Sequence, residues 1–528
     1  MRFDARRASP GASGIGIALP IGIGIALAIA AASAKAGERD AVTDLPAAWA
    51  AMRAEAIESH IADAPSLDVP ESDRSDAPGK TPDKTRSDSA DVRFGARKSY
   101  AIPAAEILGF EFLLNQFDRH VLGTDFASNA STIRRNLHSS WVVDRDPFEI
   151  NQLGHPYAGS MYQAFARSAG LNYWESLGYT FAGSALWEIA GERSLPSRND
   201  QINTSFGGSF LGEILFRLSN LTLEHENLPP FWRETAAALI SPPVGFNRLA
   251  FGNRFRTIFA SNDPLYFSRL QVGYSGTVQN SAGTSSTQLR RNEALVDYSI
   301  DYGLPGKPGY TYQRPFDYFS LQATASSANG FENLLTRGLL IGKDYEAGDN
   351  YRGIWGLYGL YDYIAPQTFR VSSTAAALGT TAQWKLSDAM ALQGTGLFGA
   401  GYTAVGTTRS TADNDYHYGV SPQALLALRL IFGERAALDV SAREYFVSNI
   451  GAATRGGHDN IVRVEAAFTV RVYGRHGVSV RYLLNRRDAF YPDIGDSSQT
   501  RGTIGLFYTY LGHQHFGFVP WQQTSVAQ

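Results

Sequence analysis

Residues 462–472 read Val-Arg-Val-Glu-Ala-Ala-Phe-Thr-Val-Arg-Val. Val462, Val464, Ala466, Phe468, Val470 and Val472 share one parity; Arg463, Glu465, Ala467, Thr469 and Arg471 share the other. Successive side chains of a strand point to opposite faces, so this stretch has one apolar face and one wet face. The pattern recurs upstream. Tyr266, Leu270, Val272 and Tyr274 alternate with Arg269, Gln271 and Gly273, and Val296, Tyr298, Ile300 and Tyr302 with Asp297, Ser299 and Asp301. Runs of about ten residues suit a tilted membrane strand. They occur near 265–275, 294–303, 316–325, 335–344, 351–364 and 369–385. Further runs lie near 390–403, 419–433, 435–447, 460–473, 476–487 and 500–511. That makes twelve, an even number, as bacterial single-chain barrels have.

The connections agree. Gln279–Ser286, Thr407–Asp415 and Asp488–Thr500 are long and polar, whereas Gly433-Glu434-Arg435 and Gly474-Arg475-His476 are tight turns. Residues 259–512 are therefore expected to form a transmembrane antiparallel β-barrel, apolar towards lipid and polar towards the lumen. Tyr358, Tyr361, Tyr363, Tyr473, Tyr482, Tyr508 and Tyr510 lie towards strand ends, where amphipathic rings suit headgroup depth. After the last run, residues 513–528 are expected to be a tail in the periplasm.

The amino terminus carries Arg2, Arg6 and Arg7, an uncharged run from Gly14 to Ala32, and small residues at Ala32-Ser33-Ala34. This is the layout of a cleavable signal peptide over residues 1–34. Residues 35–95 are expected to be a disordered polar spacer, dense in Asp, Ser, Pro, Lys and Arg from Asp63 to Asp91. The location implied is the cell outer membrane, with outer-membrane lipid and the barrel-assembly machinery as partners. Cysteine is absent, which excludes disulfides and thiolate metal sites. A net charge of −3 with no basic tract argues against nucleic acid.

Residues 96–258 have helical texture. Ile107, Leu108, Phe110, Leu114 and Phe117 recur at helical spacing. A second helix is expected from Pro156 to Arg167, and another from a cap at Asn172 to about Ile189. Asn199 or Asp200 is expected to start one running to Leu218, and a short one spans Trp232 to Leu239 before Pro242-Pro243. Gly208-x-x-x-Gly212 fits close helix–helix approach.

This block carries ordered motifs: His155-Pro156-Tyr157-x-Gly159, Ala166-Arg167-Ser168-x-Gly170-x-Asn172-x-Trp174-x-Ser176 and Gly183-Ser184. Then come Trp187-Glu188-x-x-Gly191-Glu192, Pro196-Ser197-x-Asn199-Asp200-x-x-Asn203-Thr204, Gly207-Gly208, Gly212-Glu213 and Arg217. Together they resemble a bacterial family of predicted cell-envelope proteins known only as a domain of unknown function. The resemblance covers about residues 100–250. It implies an envelope location and supplies no mechanism.

Candidate chemistry rests on His155, Ser160, Glu188, Asp200 and Glu213. Glu188, Asp200 and Glu213 with His155 have donor types suited to a divalent cation, but the spacing matches no metal motif, and no metal or cofactor is expected. Capping and packing is the favoured reading, because Asn172, Asn199 and Asp200 sit at helix starts and buried polar groups need partners. Ser160 follows His155 by five residues without a nucleophile elbow. The expected lumen face carries both signs: Arg269, Asp297, Asp301, Asp439, Arg443, Arg463, Glu465, Arg471 and Arg481. Mixed signs suit a wall gripping a polar plug, so the helical unit is expected to plug the barrel or cap it from the periplasm. The function expected is structural, or passage of solutes or lipids. The rival class is a lipid-modifying hydrolase or acyltransferase acting through the polar residues of the helical unit.

Overall fold

The structure, a computed structural model, describes residues 94–95, 97–121, 126–144, 146–225, 228–281, 291–407, 416–450, 456–492, 495–513 and 515–519. The expected leader, and the spacer up to residue 93, lie outside the described residues.

Twelve strands close into one antiparallel ring in chain order, with the first paired to the last. They are β1 (Tyr266–Ser281), β2 (Asn292–Tyr302), β3 (Phe319–Ser326) and β4 (Asn333–Ala347). Next are β5 (Tyr351–Ile364), β6 (Phe369–Ser387), β7 (Met390–Thr407) and β8 (Tyr416–Phe432). The ring ends with β9 (Ala436–Val447), β10 (His458–Tyr473), β11 (His476–Phe490) and β12 (Ser497–Leu511). One end carries tight turns. Gly433 and Gly474 each take φ +54° there, a left-handed conformation that glycine adopts without strain. Closure pairs every strand on both sides and leaves no open edge.

The two parities separate as the sequence predicts. Phe468, Val470 and Val472 on β10, Leu426 on β8 and Leu506 and Tyr508 on β12 are exposed on the outer wall. Arg463 and Glu465 alternate with the first set and are buried within. Inward charges pair across the lumen: Arg269 with Asp439 at 2.7 Å, Arg429 with Asp301 at 3.2 Å, Arg443 with Asp362 at 2.5 Å and Arg481 with Asp297 at 3.3 Å. Partners such as Arg443 on β9 and Asp362 on β5 are four strands apart, so only an interior contact can join them. A ring apolar outside and charged within is the arrangement of a membrane-spanning barrel.

The carboxy-terminal tail corrects an expectation. Beyond β12 the described residues, up to Val519, fold back into the lumen at the turn end, while residues 520–528 of the expected tail lie outside the described residues. Phe516 stacks near the inward Phe267 at 6.1 Å, the inward Gln383 donates to the Val519 carbonyl at 3.0 Å, and Gln393 donates to that of Gly517 at 2.5 Å.

The helical unit precedes β1. It comprises α1 (Ala101–Val121), α2 (Ala130–His138), α3 (His155–Ser168), α4 (Tyr173–Leu186), α5 (Arg198–Ile202), α6 (Gly208–Leu223), α7 (Pro230–Ile240) and α8 (Pro242–Phe251). Single π-helical turns lie at Ile150–Gly154, Trp187–Gly191 and Asn203–Gly207. Asn172 and Glu175 form the expected capping box on α4. On α5 the cap is Ser197, which accepts from the Asp200 amide at 3.2 Å, so neither Asn199 nor Asp200 plays that part. α7 ends before Pro242-Pro243 as expected, and those prolines also start α8, which was not expected; proline is tolerated in a first helical turn. Among the described residues no helix is long and apolar enough to cross a membrane.

α3 and α6 are the pair around which the unit is built. Gly208 packs on the backbone of Gly159, and Gly212 on Ser160 and Gln163. A side chain at Gly159 would collide with the Thr204 carbonyl. Gly159→Val is therefore expected to force α3 from α6 and to destabilise the helical unit by about 1–3 kcal/mol. Proteolysis of the unit should accelerate, while the heat-modifiable gel mobility of the barrel stays as in the parent chain.

Candidate functional site

Among the described residues the helical unit docks on the outer wall of the barrel, where a plug in the lumen or a periplasmic cap was expected. Its contacts with the barrel are made by side chains of the outward parity. On β5 the exposed Trp355 shares parity with Tyr361 and Tyr363, and both tyrosines are buried beneath the helices. On β8 the exposed Val420, Leu426 and Ala424 share parity with the buried Tyr416 and Tyr418. The covered patch runs from the turn end of β2 and β3, at Tyr302 and Phe319, to the loop end of β5 and β8, at Tyr363 and Tyr416. Phe210, Leu211, Ile214, Leu215 and Leu218 of α6 pack into it.

Tyrosine suits such a wall, since its ring is apolar and its hydroxyl needs a partner when buried. The Asn151 amide donates to Tyr416 at 2.9 Å and the Gln152 amide to Tyr418 at 2.6 Å. The Tyr361 hydroxyl donates to the Gln152 carbonyl, and the Thr374 hydroxyl to Asn203 at 3.2 Å. Asn199 donates to Tyr418 at 2.9 Å. Arg370, also on the outward parity, lies over the Phe148 ring at 4.8 Å and 3.7 Å from Glu149.

Inside the unit the candidate residues divide into two places. Glu213 on α6 is buried between Arg167 at 2.7 Å and Arg217 at 3.0 Å. Arg217 continues to Asp317 at 3.0 Å, in the β2–β3 connection. Arg167 lies over the rings of Phe216 and Phe259 at 4.5 and 4.8 Å. Glu213 is thus a structural pivot between helices and barrel.

His155, Glu188 and Asp200 form the second place. They come from the start of α3, the turn Trp187–Gly191 and α5, and one donor atom from each lies within 4.8 Å of the others. All three are buried. His155 Nδ1 is 3.3 Å from the Thr204 hydroxyl, and Nε2 is 4.0 Å from Glu192. Glu192 accepts from the Trp187 indole and from Ser194, each at 2.7 Å. Burial pushes the Glu188 and Asp200 carboxyls well above the ordinary carboxylate range, and Asp144 and Glu192 beside them push the same way. These are the residues that could hold a cation. The Ser160 hydroxyl donates to the Tyr157 carbonyl at 2.6 Å.

Sequence reading brought His155, Glu188 and Asp200 forward and held Asn203 and Thr204 within its motifs, but it grouped Glu213 with the first three, which the structure does not, and it did not single out Asn151 or Gln152. One clue was available. The outward parity of β6 opens with Arg370, Ser372 and Thr374, polar groups that a lipid-facing wall disfavours unless protein covers them.

Residues 140–243 match the model of a family described as a domain of unknown function, DUF3943. No curated protein matches the chain. Among solved structures, the chain is similar to the outer membrane channel DcaP of Acinetobacter baumannii, at 8% identity and TM-score 0.23, covering 47% of this chain and 97% of that one. The NanC porin gives 8% identity and TM-score 0.23, covering 45% and 98%. The translocator domain of autotransporter NalP from Neisseria meningitidis gives 14% and TM-score 0.22, covering 47% and 88%. At such scores the likenesses carry no argument beyond the barrel already described.

Replacing Arg217 by methionine leaves Asp317 and one side of Glu213 charged and buried without that partner. Breaking a buried pair in this way costs about 3–5 kcal/mol. Denaturant titration of the detergent-solubilised protein, followed by tryptophan fluorescence, should show the helical unit unfolding earlier by that amount.

Proposed function

We propose that this chain is an outer-membrane protein whose barrel serves as an anchor, holding the helical unit at membrane depth against its lipid-facing wall. The observation that carries this reading is the docking of the unit on Tyr361, Thr374, Tyr416 and Tyr418, all outward in parity. The lumen is not the working part. Ion pairs cross it, and the tail lies in its turn end. A cavity among Arg269, Asp301, Arg337, Arg429 and Asp439 is about 90 Å³, well below the roughly 300–1,000 Å³ of small-molecule sites. This supports a structural or lipid-handling role over solute passage.

Lipid is the partner that the outer surface of the helices fits. Phe112, Leu113, Phe231, Trp232 and Leu249 are exposed there, Leu249 by 86%. These residues lie on α1, α7 and α8, in the unit that docks on the outward face of the barrel. The barrel-assembly machinery is a second partner, since the strands must be inserted and closed. The rival reading, a lipid-modifying hydrolase or acyltransferase, draws on the proximity of His155, Glu188 and Asp200. Alanine at His155 and Asp200, followed by envelope lipid profiling, tests it: an unchanged profile with an assembled barrel removes that reading.

The chain has no cysteine, so a single one can carry a spin label. Labels at Leu113, Trp232 and Leu249 in liposomes are expected to relax with oxygen and to ignore a water-soluble nickel complex, as a label at Leu506 should. Planar bilayers containing the protein are expected to show no stable channel conductance. Water-accessible labels on the helices, or a steady open pore, would each defeat the anchor reading.

A further inference from the structure

Glu213, the most deeply buried carboxylate among the described residues of the helical unit, is matched with two arginines. Glu188 and Asp200 are buried almost as deeply, at 2% and 1% exposure, yet among the described residues neither pairs with a lysine or arginine. Glu188 accepts the Ser197 amide at 2.7 Å through Oε2, while its Oε1 is buried without a partner. A buried charge is retained only when it is paired or holds a metal.

The surroundings are built for a ligand set. With Nδ1 of His155 occupied by the Thr204 hydroxyl, Nε2 is the nitrogen that would offer its lone pair to a cation held between the imidazole and the two carboxylates. Asn199 donates to Asp200 at 3.0 Å, and the Ser197 amide holds Glu188. Such outer hydrogen bonds orient metal ligands. A π-helical turn adjoins or contains each donor: Ile150–Gly154 ends just before His155, Trp187–Gly191 contains Glu188, and Asn203–Gly207 begins three residues after Asp200. Single π turns recur at functional sites.

We propose that His155, Glu188 and Asp200 bind one divalent transition-metal cation of the zinc or manganese class, through one imidazole nitrogen and two carboxylates. This departs from the expectation of no metal drawn from sequence spacing. The donor set, nitrogen and oxygen without sulfur, suits Zn²⁺, Mn²⁺ or Fe²⁺. Three protein ligands leave a coordination position for water, as catalytic sites do and closed structural sites do not. The proposal does not depend on whether the barrel conducts.

The whole chain, purified in detergent and stripped with EDTA, is titrated with zinc chloride by calorimetry and with cobalt chloride by visible absorption. One cation per chain is expected, with cobalt bands of a low-coordinate nitrogen–oxygen site. Glu188→Gln, Asp200→Asn and His155→Gln should each weaken zinc binding about 100-fold or more, beyond the range seen for outer-shell changes. Glu434→Gln, at an exposed barrel turn, should leave it unchanged. Thermal unfolding of the wild-type helical unit should shift upward with zinc, a readout that needs no variant. The absence of stoichiometric binding to the wild type, or binding that survives all three ligand variants, would overturn the proposal.

Discussion

On a closed ring of strands every side chain must face either outward or into the lumen, and no edge offers a third place. The rest of this molecule follows from how that division is used. The inward parity carries arginines and carboxylates dense enough to pair across the barrel, such as Arg269 with Asp439 and Arg443 with Asp362. Pairing of this kind satisfies desolvated charges without help from a plug. The helices are thereby free of the lumen, and the outward wall is where they go.

An outward wall that must take lipid in one sector and protein in another needs two chemistries. Where lipid is expected, β10 and β12 present valine, phenylalanine and leucine. Beneath the helices, β5 and β8 present tyrosines whose hydroxyls meet Asn151, Gln152 and Asn199. Each such bond contributes about 1 kcal/mol net, but leaving a buried hydroxyl unmet costs about 1–3 kcal/mol. The tyrosines therefore specify one docking position more than they add stability. Arg217, reaching from α6 to Asp317, fixes the other end of the unit.

Local patterns were legible and long-range partners were not. The strands, the helix cap at Asn172 and the fitness of Gly208-x-x-x-Gly212 for close approach of some helix could be read from periodicity and residue type. α8 was not foreseen because proline both ends and begins helices, and the sequence around Pro242-Pro243 does not say which. Tyr361 and Tyr363 were read as headgroup-level aromatics. A tyrosine that meets a lipid headgroup and one that meets a buried asparagine look alike until the asparagine is in view.

From its sequence alone this protein is a two-faced strand repeat behind a helical block, because alternation is a property of neighbouring residues and survives without knowledge of the fold. Which wall of the barrel the helices embrace was decided only in three dimensions. So was the meeting of His155, Glu188 and Asp200, which lie up to 45 residues apart in the chain yet within 4.8 Å in space. The physical reason is common to both: contacts between distant segments depend on closure of the ring and packing of α3 against α6, and neither leaves a local trace in the order of the residues.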